Sequence, residues 1–206
     1  MGPNALPNGL NEKNGPLAQE TLEDLVLEYN SLFMAPGPRY VPPYESVYTD
    51  AIEIEYGPFQ GGAAQEPVRE ASALLWGEST VAVQRTYAAA GLEVASVGEP
   101  PDHLGLELEF MALLCQREAE AWQAKAVERA RKQLETEQDF LEAHLLHWLP
   151  LFRAKLEANA TRPFYRVMAG LAQRFLEVDR GHVEAALEKT NSAMTMDGSA
   201  CPKCQI

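Results

Sequence analysis

Leu104, Leu108, Met111 and Cys115 recur at offsets 0, 4, 7 and 11, and Leu106, Phe110 and Leu113 recur beside them at 0, 4 and 7. Two interleaved stripes make a helix apolar over most of its circumference, and such a helix must be covered on several sides. That requirement predicts the middle of a helical bundle.

The flanking segments supply the cover. Leu22, Leu25, Val26, Tyr29, Leu32 and Phe33 draw one stripe on a first helix, with Glu20, Glu23, Asp24 and Glu28 on its other face. Pro36, Gly37 and Pro38 end it near Ala35. Residues 36–62 form a long loop rich in Pro, Tyr and Gly, a kind of segment that is more often functional than idle. Helical signal resumes over Gln65–Trp76 and again over Ser79–Ala90, where Gly91 is placed as a stop. After a second loop, Val94–Pro101, the apolar helix begins. Charged residues then dominate Arg117–Glu137, leaving a thin seam of Trp122, Val127 and Leu134.

From about Glu137 to Ala158, Phe140, His144, Trp148 and Phe152 stack at four-residue spacing, and Pro150 should kink or break this helix. A last helix, about Arg162 to Lys189, is expected to turn Phe164, Met168, Leu171, Phe175 and Val178 inward. Only Ile52–Tyr56 alternates like a strand, and it is too short and acidic to anchor a sheet. The expectation is an all-α, single-domain helical bundle with long Pro-rich loops. It comprises a flexible segment over 1–16, the helical domain over 17–190, and a flexible tail over 191–206.

The chain has 17 Lys and Arg against 30 Asp and Glu, a formal charge of −13 over 206 residues. That surplus repels phosphate backbones and anionic lipid, which disfavours nucleic acid and membrane surfaces as partners. No apolar stretch approaches the roughly 20 residues that cross a bilayer, and the first 16 residues lack the cationic start and apolar run of a secretory signal. A cytoplasmic protein is expected.

Catalytic signatures are absent. The sequence has no Gly-Lys pair for a phosphate loop, no G-x-G-x-x-G and no G-x-S-x-G. No Glu stands three residues before any of the four His, so the paired ligands of di-iron bundles are missing. His144 and His147 share a helix face, but His144 falls in an aromatic stripe with no further ligands near it, which favours a hydrogen-bonded core imidazole over a metal ligand. Cys201-Pro202-Lys203-Cys204 provides two of the four ligands a zinc site needs, so Cys201 and Cys204 are expected to be unassigned thiols in a flexible tail. Asp102 and His103 follow the Glu99-Pro100-Pro101 loop at the start of the apolar helix. There Asp102 suits a helix cap, and the carboxylate-imidazole pair suits recognition of a cationic or amide-rich ligand.

PPYESVY at Pro42–Tyr48 after YNSLF, EPPDHLGLELEFMALL at Glu99–Leu114, and FLEAHLLHWLPLF at Phe140–Phe152 follow one another in an order and spacing that resemble the TorD/DmsD/NarJ family of redox-enzyme maturation chaperones. The resemblance covers about Glu20–Lys189. It implies an all-helical cytoplasmic chaperone, not an enzyme and without a cofactor. Its partners would be the N-terminal twin-arginine leader and the apo form of a molybdopterin oxidoreductase catalytic subunit, held back from export until the cofactor is inserted. The family's Asp-His pair falls on Asp102 and His103, and its loop motif falls on Pro43, Tyr44, Glu45, Ser46 and Tyr48. Tyr44 stands where relatives often carry Trp, which keeps an aromatic face.

A dibasic leader followed by an apolar helix-forming stretch requires carboxylates beside an apolar groove. Glu45, Glu99, Asp102, Glu107 and Glu109 are the acids expected to meet it, and Tyr44, Tyr48, Trp76 and Leu104 are expected to wall the groove. Acids concentrate in the two loop segments: residues 1–62 hold nine against Lys13 and Arg39, and residues 99–120 hold six against Arg117. A homodimer formed by segment exchange stays open to a helical bundle with long loops. The competing class is a metal- or redox-sensing helical protein that uses Cys201, Cys204 and Cys115.

Overall fold

The computed structural model describes residues 20–34, 36–50, 52–56, 68–72, 76–92 and 98–198. Helix α1 (Leu22–Tyr29) opens on a capping box. The Asp24 amide donates to Thr21 Oγ1 and the Thr21 amide donates to Asp24 Oδ2, each at 3.2 Å. The helix loosens into a π-turn over Asn30–Met34. A four-residue helix α2 (Ser46–Thr49) follows, then the strands β1 (Ile52–Tyr56) and β2 (Val68–Ser72).

The bundle proper is α3 (Glu78–Ala89), α4 (Leu104–Gln123), α5 (Val127–Phe140), a second π-turn (Leu141–Leu145), α6 (Leu146–Asn159) and α7 (Pro163–Gly198). α4 sits among the other helices as its two stripes demand, contributing Phe110, Met111 and Leu114 to the core. Trp148, Phe140, Leu141, Leu145 and Leu149 meet it from the α5–α6 side. Tyr87, Phe110 and Phe140 form one aromatic chain, with ring centroids 4.6 Å and 4.8 Å apart. All-α architecture is therefore correct, with one two-stranded ribbon attached.

Several local expectations need correction. Residues 68–72, expected to be helical, pair antiparallel with β1, Tyr56 opposite Val68 and Ile52 opposite Ser72. Pairing with a β-prone Ile-x-Ile-x-Tyr neighbour overrides a weak helical preference. The charged run breaks at Ala124–Ala126, where Lys125 adopts φ +55°, and not near Glu137. No Gly or Pro announces that turn, and Trp122 and Val127 of the expected seam are exposed. α5 passes without interruption through the π-turn into α6, and Pro150 lies inside α6.

On α1, Leu22 and Val26 are exposed while Glu28 is buried. Glu28 accepts from the Thr161 amide at 2.6 Å, Thr161 Oγ1 at 2.9 Å and the Arg162 amide at 3.2 Å, and pairs with Arg39 at 2.6 Å. A carboxylate thus sits at the free amides that open α7, and Pro163 takes the first helical position, where it has no hydrogen bond to lose.

The last helix packs through the other face. Ala169, Leu176, Val183 and Leu187 are buried, whereas Met168, Leu171, Phe175 and Val178 are exposed. Small alanines let α7 approach its neighbours closely, a preference that hydrophobicity counts do not register. α7 also continues to Gly198, past its expected end near Lys189, because no Pro or Gly interrupts residues 191–197.

Candidate functional site

Both Pro-rich loops converge on the start of α4. The Leu104 amide donates to the Pro43 carbonyl at 2.9 Å and the Glu45 amide donates to the Asp102 carbonyl at 3.0 Å, making an antiparallel bridge between Tyr44 and His103. Asp102 Oδ2 accepts from the Ser46 amide at 2.9 Å. The expected role of Asp102 is thereby corrected: it caps the short helix of the other loop. α4 is capped by His103, whose Nδ1 accepts from the Gly105 amide at 3.0 Å. A side chain at Gly105 would meet the His103 ring at 3.1 Å. Behind the junction, Tyr87 donates its hydroxyl proton to the Pro101 carbonyl at 3.1 Å.

Beneath this junction lies a buried polar layer. Glu45, Ser46, Asp102 and Glu107 are buried, with Glu107 and Asp102 at 0% exposure. Glu45 Oε2 lies 2.9 Å from His144 Nδ1, and Trp148 Nε1 donates to Glu107 Oε2 at 2.9 Å. Burial pushes the Glu107 carboxyl well above the usual carboxylate range, with Glu45 pushing the same way and the Trp148 N–H opposing. Three of the acids expected to face a guanidinium are therefore interior. They tie the loops to α4, the π-turn and α6.

The accessible part is smaller. Tyr44 donates to Glu99 Oε2 at 2.7 Å and packs edge-on against His103, centroids 5.2 Å apart. Glu99 and Glu109 are exposed, and Tyr44, His103 and Leu104 are half-buried. Burial holds the His103 imidazole below its ordinary value against the pull of Glu99, Asp102 and Glu109, so it is neutral near pH 7. With Nδ1 accepting, the neutral ring carries its proton on Nε2.

Tyr48 belongs to the interior. Its ring stacks on Trp148 at 5.5 Å, its hydroxyl donates to the Pro42 carbonyl, and Lys155 Nζ lies over the ring, 5.7 Å from its centroid. Trp76 is 63% exposed with φ +70° and precedes Gly77, which packs against Asp50 at the end of α2. Asp50 Oδ2 in turn accepts from the Ser79 amide at 2.9 Å, capping α3.

His144 is the hydrogen-bonded core imidazole that its place in the aromatic stripe indicates. Its partner Glu45 has no sequence signal beyond being a carboxylate in a Pro-rich loop. Glu107 has a better one, an acid set between the apolar stripes of α4, which marks an interior carboxyl as readily as a ligand's counter-charge. Among the described residues no group of His, Cys, Asp and Glu has metal-site geometry. Burial pushes the Cys115 thiol up to about 12, which makes it a poor nucleophile or ligand. Cys201 and Cys204 lie outside the described residues.

A family model described as nitrate reductase delta subunit matches residues 4–154. The chain is 27% identical over 177 residues to the chaperone protein TorD of Vibrio cholerae, across 84% of this chain and 68% of that protein. It is 38% identical over 107 residues to the perchlorate reductase assembly chaperone protein of Dechloromonas aromatica, covering 50% and 44% of the two chains. Over 62 residues it is 48% identical to the selenate reductase assembly chaperone protein of Thauera selenatis, covering 30% and 31%. No solved structure matches the chain.

Proposed function

The chain belongs to the nitrate reductase delta subunit family, the TorD/NarJ chaperones, and from that premise we propose that it binds the N-terminal leader of a molybdenum-containing reductase subunit before export. It is a maturation chaperone and not an enzyme. The client, by this proposal, is the apo catalytic subunit, received in the cytoplasm. Among the described residues no helix is long and apolar enough to cross a membrane.

The observation that carries the leader assignment is the exposed pairing of Tyr44 with Glu99 beside His103, on loops locked from beneath by buried hydrogen bonds. Glu99 and Glu109 are the accessible acids for two guanidinium groups, each charge-assisted hydrogen bond contributing about 1.5–3 kcal/mol. Leu104 supplies apolar surface next to them. The exposed row of Met168, Leu171 and Phe175 on α7 is further apolar surface suited to an unfolded client.

Titration of a twin-arginine peptide onto the full chain tests the site. Glu99→Gln combined with Glu109→Gln should weaken binding at least tenfold while the circular dichroism spectrum is unchanged. Undiminished affinity would place the leader elsewhere. Asp102→Ala is the wrong probe, because it removes the Ser46 cap and loosens both loops whether or not a peptide binds there.

A further inference from the structure

Helix α7 has two apolar faces, and the bundle uses one. Ala169, Leu176, Val183 and Leu187 are buried, while Met168, Leu171, Phe175 and Val178 stand in solvent, Leu171 and Phe175 at 60% and 64% exposure. Half-buried Phe164 heads the exposed row. Apolar side chains scattered singly over a surface are ordinary, but a contiguous row along one helix marks an interaction surface.

The spacing of the row says what kind of partner fits it. From Phe164 it advances by 4, 3, 4 and 3 residues, the alternation of the d and a positions of a heptad, and His182 and Ala185, both exposed, continue the series. Irregular or extended chain has no need of that period, whereas a second helix matches it. From Phe164 to Ala185 the seam is about 33 Å long at the rise of an α-helix. The buried face already holds α7 in its helical form, so a partner does not have to meet the cost of ordering it.

Charge narrows the choice further. With Phe175 at an a position, Arg174 falls at g and Asp179 at the following e, while the other flanking positions, Tyr165, Val167, Ala172 and Gly181, are uncharged. Within one copy Arg174 pairs with Glu177 at 3.4 Å on the surface, a weak contact that leaves the guanidinium free to turn to a neighbour.

We propose that a second copy of this chain covers the row, the two α7 helices lying parallel about a two-fold axis. Parallel two-stranded pairing sets each g residue beside the e residue five positions on in the facing helix, which brings Arg174 of each copy to Asp179 of the other. Symmetry makes both pairs at once. Antiparallel pairing matches g with g and e with e, and over this run neither match joins opposite charges. No segment is exchanged, and the pairing does not depend on where a leader binds. An unfolded client meets the same row only when the copies separate.

Sedimentation equilibrium of the full chain, under reducing conditions so that no intermolecular disulfide contributes, tests the proposal. A reversible monomer–dimer equilibrium is expected over the micromolar range. Leu171→Glu with Phe175→Glu should weaken it at least tenfold with the helical spectrum unchanged, because both side chains lie in solvent in the single copy. Val81→Glu with Val127→Glu, exposed apolar positions on α3 and α5, should leave it within about twofold. Arg174→Glu should also weaken the dimer at least tenfold, and adding Asp179→Lys should restore it by reversing both charges. A chain that is monomeric throughout, or a dimer that the α7 pair of substitutions leaves intact, overturns the proposal. A dimer lost with that pair but indifferent to Arg174→Glu overturns the parallel arrangement. A monomer that holds reduced, carboxymethylated α-lactalbumin, and releases it when Leu171 and Phe175 are replaced, assigns the row to unfolded clients instead.

Discussion

Glu45 and His144, 99 residues apart in sequence, meet at 2.9 Å in the interior, where a Pro-rich loop is fastened to the π-turn between α5 and α6. The contact matters because the loop residues near it, Tyr44 and the bridge to His103, have no regular secondary structure of their own to hold them. Glu45→Ala leaves His144 Nδ1 buried and unpaired, which should cost about 1–3 kcal/mol. His147→Ala, an exposed imidazole one turn away, should change stability by less than about 0.5 kcal/mol. Urea unfolding of the two variants measures the difference.

Glu107 offers a sharper comparison. Because burial raises its carboxyl well above the ordinary range and so favours the neutral form, Glu107→Gln, which keeps both the shape and the acceptor for Trp148 Nε1, should leave stability within about 1 kcal/mol of the parent. Glu107→Ala removes the acceptor and opens a cavity, with an expected loss of about 2–4 kcal/mol. If Gln proves as damaging as Ala, the carboxyl is ionised in the folded protein.

Glu137, in α5 at 1% exposure, sets a dependence on alkaline pH. Burial raises its carboxyl to about 8 from an ordinary 4.5, helped by Glu118 and Asp179. The folded chain then holds a proton that the unfolded chain releases between those values. Stability from this group is complete below pH 4.5, falls as pH rises, and is fully lost above pH 8. Glu137→Gln should flatten the thermal midpoint between pH 5 and 8. At pH 8 it should exceed the parent by an amount on the order of 2 kcal/mol.

Glu28 acts in the opposite direction. Burial alone would raise its carboxyl, but Arg39 and the amides of Thr161 and Arg162 outweigh burial and hold it below its ordinary 4.5. Its contribution is therefore complete above pH 4.5 and disappears as pH falls through the lower, folded value. Glu28→Gln should cost about 1–3 kcal/mol at pH 7 and little in strong acid, as read from denaturation midpoints at both pH values.

Lys125 occupies the left-handed region at the end of α4, a conformation that costs a residue with a β-carbon about 1 kcal/mol. Lys125→Gly should raise stability by roughly that amount, less the entropy glycine adds to the unfolded chain. A lowered thermal midpoint would show that the lysine side chain has a role of its own in the turn.

Periodicity exposed the bundle because α4, with two apolar stripes, admits no other setting. It failed on α7, where Leu171 and Phe175 outweigh Ala169 and Ala172 on any hydrophobicity scale yet face outward. It also failed at Lys125 and in β2, which are fixed by a turn without a signature residue and by a partner strand. The motifs located two loops that meet at the start of α4, but not the direction their residues face. Asp102, Glu45 and Glu107 look like a ligand's counter-charges in sequence, and only their zero or near-zero exposure shows that they hold the loops to the helices.

The π-turn at Leu141–Leu145 has a phase as well as a position. Each residue of an α-helix advances the azimuth by about 100°, so widening one turn to hold an extra residue shifts every later side chain relative to those before it. Phe140 can thus point toward Tyr87 and Phe110 while Trp148 still reaches Glu107 from the far side of the turn. Removing any one residue from 141–145 would leave a regular helix of almost the same length. Its two halves would then be out of step, and the chain would have to give up either its aromatic chain or its loop anchors.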